Sequence, residues 1–301
     1  MIDIAPSRSW SLVIHGGAGG PGTDAATESI PEVHAGLEAA YEAGEAVLAD
    51  RGSALDAVCA VVRSLEENPI FNAGRGSVLT AEGTAEMDAA VMTGDGRAGA
   101  VAGSRHARHP VDLARAIREQ SPHVLLINPG ASILQRWGIE IAEPEWFITP
   151  WRREQLAQIK AQRSGAPDHG TVGAVALDTH GHLAAATSTG GTPHKLPGRI
   201  GDSPIPGAGT YARDGVVAVS CTGQGEAFLE GVVGHDVYAR MAYAGVDLAA
   251  AVSATLAAEV VSREAMGAMI AVDAAGRVVM SHHSDTMLSA WRAGDRIVTH
   301  V

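Results

Sequence analysis

The 301-residue chain changes character once, at the step from residue 170 to residue 171. Residues 152–170 are rich in Arg, Gln and Lys and then break at Ser164-Gly165-Ala166-Pro167, so they read as a helix running into a mobile linker. Directly after it, Thr171 opens the apolar run 172–177, a strand by composition. No other internal boundary is as clear, so the chain divides into segments 1–170 and 171–301.

The two segments pattern differently. In the first, residues 10–15 form a short apolar strand ending in a glycine loop, 16–22. Val33, Leu37, Ala40, Tyr41, Val47 and Leu48 then repeat at helical spacing. A second helix starts at Ser53, with Asp56 three residues on, and stops before Asn68-Pro69. Its stripe is Leu55, Val58, Cys59, Val62 and Leu65. Residues 89–92 and 99–103 read as strand and turn, and 123–127 as a buried strand or a short helix.

The second segment is strand-rich. Residues 172–177 and 183–187 flank a turn, 216–221 follow the hairpin signal Asp214-Gly215, and 268–272 pair in pattern with 277–280. Helices are expected over 226–244 and over 248–263, the latter capped by Asp247. Strands in pairs and helices in separate blocks favour antiparallel sheets covered by helices over alternating βαβ units. Only 4% of residues are aromatic while 46% are hydrophobic, so Ala, Val, Leu and Ile must fill the core.

Several function classes drop out. A net charge of −12 argues against a nucleic-acid surface, which needs clustered Lys and Arg. No apolar run approaches the roughly 18 residues of a membrane span, and the first residues lack a leader-like apolar stretch. The two cysteines sit in apolar segments and fit buried thiols of a reducing compartment; the expectation is a cytoplasmic protein. Gly17 to Gly22 formally fits G-x-G-x-x-G, but Pro21 suits a loop and no βαβ repetition follows. The thirteen histidines are scattered, without a metal-ligand cluster.

Chemistry concentrates after residue 170. A cut between Gly170 and Thr171 would give Thr171 a free α-amine beside its own hydroxyl, placing nucleophile and base on one residue. Three further pieces belong with it. Thr187-Ser188-Thr189-Gly190-Gly191 carries hydroxyls off a strand into a turn. Residues 196–204 hold Arg199 and Asp202 in a rigid loop. Ser220-Cys221-Thr222-Gly223-Gln224-Gly225-Glu226 is a strand-to-helix turn that exposes backbone N–H groups.

These runs resemble the plant-type L-asparaginases and isoaspartyl peptidases, which are N-terminal-nucleophile hydrolases. His15-Gly16-Gly17-Ala18-Gly19, the stretch 65–77 and Met87-Asp88-Ala89 agree as well, in the family's order along most of the chain. The resemblance implies an α/β fold of the αββα four-layer sandwich type. It implies a precursor that cuts itself before Thr171, and two subunits that pair into an (αβ)2 dimer of heterodimers. The implied substrates are L-asparagine and isoaspartyl dipeptides. Thr171 is then the nucleophile, positioned by Thr189. Arg199 grips the substrate carboxylate, and Asp202 takes its ammonium with help from the Gly225 backbone. The Thr222 hydroxyl and Gly223 N–H form the oxyanion hole. No cofactor is implied for catalysis; a structural sodium ion would rest on the carbonyls of Leu65, Glu66, Asn68, Phe71, Ala73 and Arg75. Asn72 reads as structural, tying a loop near the nucleophile, and Asp88 as a satisfied buried carboxylate.

Two other readings compete. A glycosylasparaginase-like amidase would carry Asp rather than Gly170 before the nucleophile. A non-catalytic amino-acid-binding protein would keep Thr171 internal and would not need the full hydroxyl set. The chain also departs from the family pattern at Thr192-Pro193-His194, in the glycine-poor stretch 261–268 and in its short linker, all of which bear on substrate preference and self-cleavage.

Overall fold

The computed structural model describes residues 1–19, 25–162 and 170–301. The linker residues 163–169 and the end of the glycine loop, 20–22, lie outside them. Two sheets form. The eight-stranded sheet runs in the order β13 (Arg296–His300), β12 (Thr286–Ala293), β2 (Ser11–Gly19), β6 (Val172–Leu177), β7 (Leu183–Thr189), β3 (Met87–Thr93), β4 (Ala98–Ser104) and β5 (Leu125–Ile127). The five-stranded sheet runs β1 (Ile2–Ile4), β11 (Val278–His283), β10 (Gly267–Asp273), β9 (Val217–Gly223) and β8 (Thr210–Arg213). Among the described strands every pairing is antiparallel except β4 with β5.

The sheets face each other, β2, β6 and β7 against β8, β9 and β10. Helices α1 (Ala25–Ala49), α2 (Ala54–Glu67) and α3 (Pro110–Gln120) cover the larger sheet. Short helices α4 (Ala131–Arg136) and α5 (Pro144–Phe147) and the longer α6 (Pro150–Gln162) follow before the linker. Helices α7 (Gly225–Gly231), α8 (Val233–Ala244) and α9 (Leu248–Thr255) cover the smaller sheet. This is the αββα sandwich.

Period-two alternation decides what lies between the sheets. On β6, Val172, Ala174 and Ala176 join the core under α1–α3, whereas Val175 and Leu177 join the other core. On β7, Ala184 and Ala186 face the helices, and Leu183 and Ala185 face inward. Continuing that alternation sends Thr171, Thr187 and Thr189 inward and Ser188 outward, toward α2. Ile14 and Val13 of β2 divide the same way, which sends His15 inward. At Gly173 a Cβ would stand 2.1 Å from Ser220 Oγ and 2.4 Å from His15 Nε2, so glycine is what lets the two sheets approach here.

The sequence expectations hold in outline and fail at particular ends. Ser53 caps α2, accepting from Asp56 N at 3.1 Å, and Asp247 caps α9, accepting from Ala250 N at 2.9 Å. The glycine run 16–19 is not a loop: it continues β2 and pairs with β12. Residues 125–127 are a strand, but at an exposed sheet edge rather than buried, with Ile127 73% exposed. The helix expected over 226–244 breaks at Val232, which is left-handed (φ 46°) and separates α7 from α8. That over 248–263 is α-helical only to Thr255, then widens into a π turn over Leu256–Val260 and tightens over Val261–Arg263.

Candidate active site

Thr171 lies at the head of β6, only 7% exposed. Its hydroxyl donates to Thr189 Oγ1 at 3.0 Å, and Thr189 Oγ1 also accepts from Gly191 N at 2.8 Å. Its backbone N–H donates to Thr222 Oγ1 at 3.3 Å, and Ala18 N donates to the same oxygen at 3.2 Å. Thr222 Oγ1 thus already accepts twice, which leaves its own proton to be given. Gly223 follows at the end of β9 with φ 144°, where a Cβ would lie 2.5 Å from Gly267 Cα.

Behind Thr171 runs a chain of neutral groups whose direction is forced. Thr171 O can only accept, so His15 Nδ1, 2.8 Å away, carries the proton. His15 Nε2 must then accept from Ser220 Oγ at 2.8 Å. Ser220 in turn accepts from Thr187 Oγ1 (2.8 Å), which accepts from Thr210 Oγ1 (2.7 Å). Burial holds the His15 imidazole down to about 3, opposed by the bond to Thr171 O, so it is neutral at working pH. Sequence reading quoted His15 and Ser220 within its runs without giving either a role, and it missed Thr210; the signal was polar residues at inward positions of otherwise apolar strands.

The second half of the site is a loop. Asp202 is 4% exposed, and burial raises its carboxyl to about 7 against the lowering effects of its own backbone and of Arg199. Its Oδ2 is buried with no hydrogen-bond partner. A Cβ on Gly225 would lie 2.8 Å from Asp202 Oδ1 and 2.9 Å from Arg199 Nη2, so the three predicted substrate residues do meet. Two acidic residues leading into and along β3 hold the loop. Glu86 Oε2 accepts from Gly198 N at 2.7 Å, and Asp88 Oδ2 accepts from Gly201 N at 3.2 Å. Asp88 Oδ1 accepts from Gly103 N at 2.8 Å, so the carboxylate is satisfied as its apolar neighbours suggested. Burial still pushes it up, with Lys195 and Arg199 opposing. Lys195, held down by burial, donates from Nζ to Glu86 O at 2.6 Å. Glu86 and Lys195 were not anticipated.

The remaining predicted residues frame Thr171. Asn72 does tie loops: its Nδ2 donates to Gly191 O (2.7 Å), its Oδ1 accepts from Val78 N (2.9 Å) and its carbonyl from Gly190 N (2.9 Å). Gly170 lies against it, and a side chain there would start 3.1 Å from Asn72 Cβ. The 65–75 loop folds on itself, with Asn68 N bonded to Leu65 O and Arg75 N to Glu66 O (2.7 Å). Gly74 has φ 53°, and a Cβ there would stand 2.4 Å from Glu66 O. The Glu66 side chain accepts from Ser188 Oγ at 2.6 Å, where the outward alternation of β7 leads. Among the described residues no group of three or more His, Cys, Asp or Glu could hold a metal ion, and no helix is long and apolar enough to cross a membrane.

Residues 8–301 match the family described as asparaginase. An isoaspartyl peptidase of Salmonella typhimurium is 44% identical, with 96% of this chain and 97% of that protein covered. A plant-type L-asparaginase of Pyrobaculum calidifontis is 40% identical (93% and 96% covered). A human isoaspartyl peptidase/L-asparaginase is 43% identical over 73% of this chain and 72% of that protein.

Proposed function

The chain belongs to the asparaginase family, and on that premise we propose that it hydrolyses the side-chain amide of L-asparagine and the isopeptide bond of β-aspartyl dipeptides, with Thr171 as nucleophile. The observation that carries this reading is the Thr171 hydroxyl held on Thr189, whose other donor, Gly191, also borders the Arg199 guanidinium. Nucleophile and zwitterion-binding groups are therefore joined by one turn.

Maturation comes first. Thr171 Oγ attacks the Gly170 carbonyl carbon, the chain shifts from nitrogen to oxygen, and water hydrolyses the ester. Gly170 becomes a carboxylate and Thr171 N an amine. A free α-amine titrates at about 7.7–8.0, so a useful fraction is basic at neutral pH. In turnover that amine takes the Oγ proton as Oγ attacks the substrate carbonyl. The Thr222 hydroxyl, already saturated as an acceptor, gives its proton to the developing oxyanion together with Gly223 N–H. The amine returns the proton to the leaving nitrogen, and water cleaves the β-aspartyl ester. Arg199 binds the α-carboxylate end-on and Asp202 the α-ammonium.

The same reading makes residues 1–170 and 171–301 the two subunits of one fold, paired again into an (αβ)2 assembly. The free, buried thiols of Cys59 and Cys221 suit a reducing cytoplasm. A sodium ion held by the carbonyls of the 65–75 loop would fix the loop carrying Asn72; one of those carbonyls, Glu66 O, lies 2.4 Å from where a Cβ on Gly74 would stand. Purified protein should run as two bands on a denaturing gel, the smaller beginning at Thr171 by N-terminal sequencing, and should release ammonia from asparagine. A chain that stays whole while fully active would end this proposal. Gly170 in place of an acidic residue disfavours a glycosylasparaginase-like amidase; comparing β-aspartyl-leucine with a glycosylated asparagine tests it.

A further inference from the structure

Arg199 is already engaged. Its Nε donates to Glu226 Oε1 at 3.0 Å and its Nη2 to Glu226 Oε2 at 3.0 Å, a bidentate pair along one edge of the guanidinium. Glu226 stands in the first turn of α7, with its side chain 65% exposed, whereas that of Arg199 is only 16% exposed. The guanidinium is also walled by backbone. A Cβ on Gly201 would lie 2.9 Å from Nη1, one on Gly191 3.1 Å from Nη1, and one on Gly225 2.9 Å from Nη2.

Guanidinium has five N–H groups in a fixed plane. Glu226 takes the Nε–H and one Nη2–H. Two on Nη1 and one on Nη2 remain, and among the described residues no acceptor is bonded to Nη1. The remaining fork is the end-on Nη1–Nη2 pair, which matches a carboxylate. We infer that Glu226 is a positioning residue: by holding the Nε edge of Arg199 it aims the Nη1–Nη2 end at the substrate's α-carboxylate. This rests on the reading of Arg199 as the carboxylate clamp.

Two effects of Glu226 oppose each other. Its charge repels a second carboxylate on the same arginine, which alone would weaken binding. Its grip fixes a long, rotamer-rich side chain in the plane the substrate needs, which strengthens it. With most of Glu226 in water the repulsion is screened, while Arg199 is largely enclosed and its orientation is not. Orientation therefore wins.

The test is Glu226→Gln and Glu226→Ala, assayed on L-asparagine and on β-aspartyl-leucine beside the unmodified enzyme. Both variants should fold and cut themselves normally, since Glu226 is a surface residue. KM for both substrates should rise by about tenfold or more in the alanine variant, and by less in the glutamine variant, which keeps one oxygen. The value of kcat should hold within about twofold. An unchanged KM would make the pair an ordinary surface contact. A lower KM would make Glu226 a competitor that substrate must displace. A loss confined to kcat would place its action elsewhere. Each of the three overturns the inference. If the unmodified enzyme hydrolyses neither substrate, it is the reading of the whole site that fails.

Discussion

The two ends of the site are built on opposite terms. Around Thr171 everything within the sheets is neutral, and every hydroxyl has a partner: Thr189, Thr222, His15, Ser220, Thr187 and Thr210 form closed chains. Around Arg199 the groups are charged, and the set is incomplete. Asp202 Oδ2 and the neighbouring Ser203 Oγ are buried without a hydrogen-bond partner. A buried polar group left unpaired costs about 1–3 kcal/mol, more if charged. Folding completes the surroundings of Thr171; a bound ammonium would complete the other end. The chemistry is set rigidly in advance, and recognition is where a missing partner can be felt.

The separation can be broken at its strongest point. Thr171→Ala should leave a single uncut chain and lower amide hydrolysis by about 10⁴-fold or more, as loss of a covalent nucleophile does. Residual turnover near the parent rate would mean that the hydroxyl chain serves something else. Next in size is Thr222→Val, which keeps shape but removes the hydroxyl proposed to serve the oxyanion. Steady-state kinetics should show kcat lower by about 10²–10³-fold with KM nearly unchanged. A rise in KM instead would put Thr222 at the recognition end and dissolve the division.

Much of this was legible before any coordinates. Which threonines look inward was not, because β6 and β7 are buried on both faces; the two cores show that the alternation sends Thr187 and Thr189 inward and Ser188 the other way, to Glu66. The roles of Thr171, Thr189, Arg199, Asp202 and Thr222 came from the resemblance, on runs in the family's order; of the five, Thr171 and Thr189 sit at neighbouring strands, β6 and β7. What could not be read were contacts across sheets. His15 lies 156 residues from Thr171 and 205 from Ser220, and nothing local says that a histidine in a glycine-rich strand will be neutral and bonded at both nitrogens. Glycine misled at residues 16–19, which continue β2: a Cβ on Gly16 would stand 2.7 Å from the Phe71 ring. The break at Val232 is a left-handed turn adopted by a β-branched residue, which no propensity foresees.

At the recognition end the effects are smaller and fall on binding. Asp202→Asn removes the charge proposed to meet the ammonium and should raise KM by about 10–100-fold while kcat changes little. In the parent enzyme Asp202 titrates at about 7, so below that pH the free site holds a neutral acid. Hence kcat/KM should fall toward tenfold per pH unit as pH drops below 7, even before the Thr171 amine is considered. Asp202→Asn should lose the part of that slope that comes from Asp202, leaving the amine limb. An identical profile in both would take Asp202 out of substrate recognition.

The smallest effect is on stability, and its sign is diagnostic. The Asp202 carboxyl is raised by burial to about 7 when folded, against an ordinary 3.8. The folded state therefore holds this proton more tightly than the unfolded chain does. Below 3.8 both states are protonated and the group contributes nothing. Between 3.8 and 7 the unfolded chain sheds the proton first, so stability falls as pH rises, and above 7 the full penalty is present. A shift of this size corresponds to at most about 4 kcal/mol, less after relaxation and the new amide's own unmet bonds. Thermal melts should then show Asp202→Asn more stable than the parent by a few degrees at pH 8, with the gain vanishing near pH 4. Adding L-aspartate at pH 8 should close most of that gap, because its ammonium supplies the partner that folding left out. A gain of equal size at both pH values would mean that the carboxylate's burial, not its charge, is what the substitution relieves.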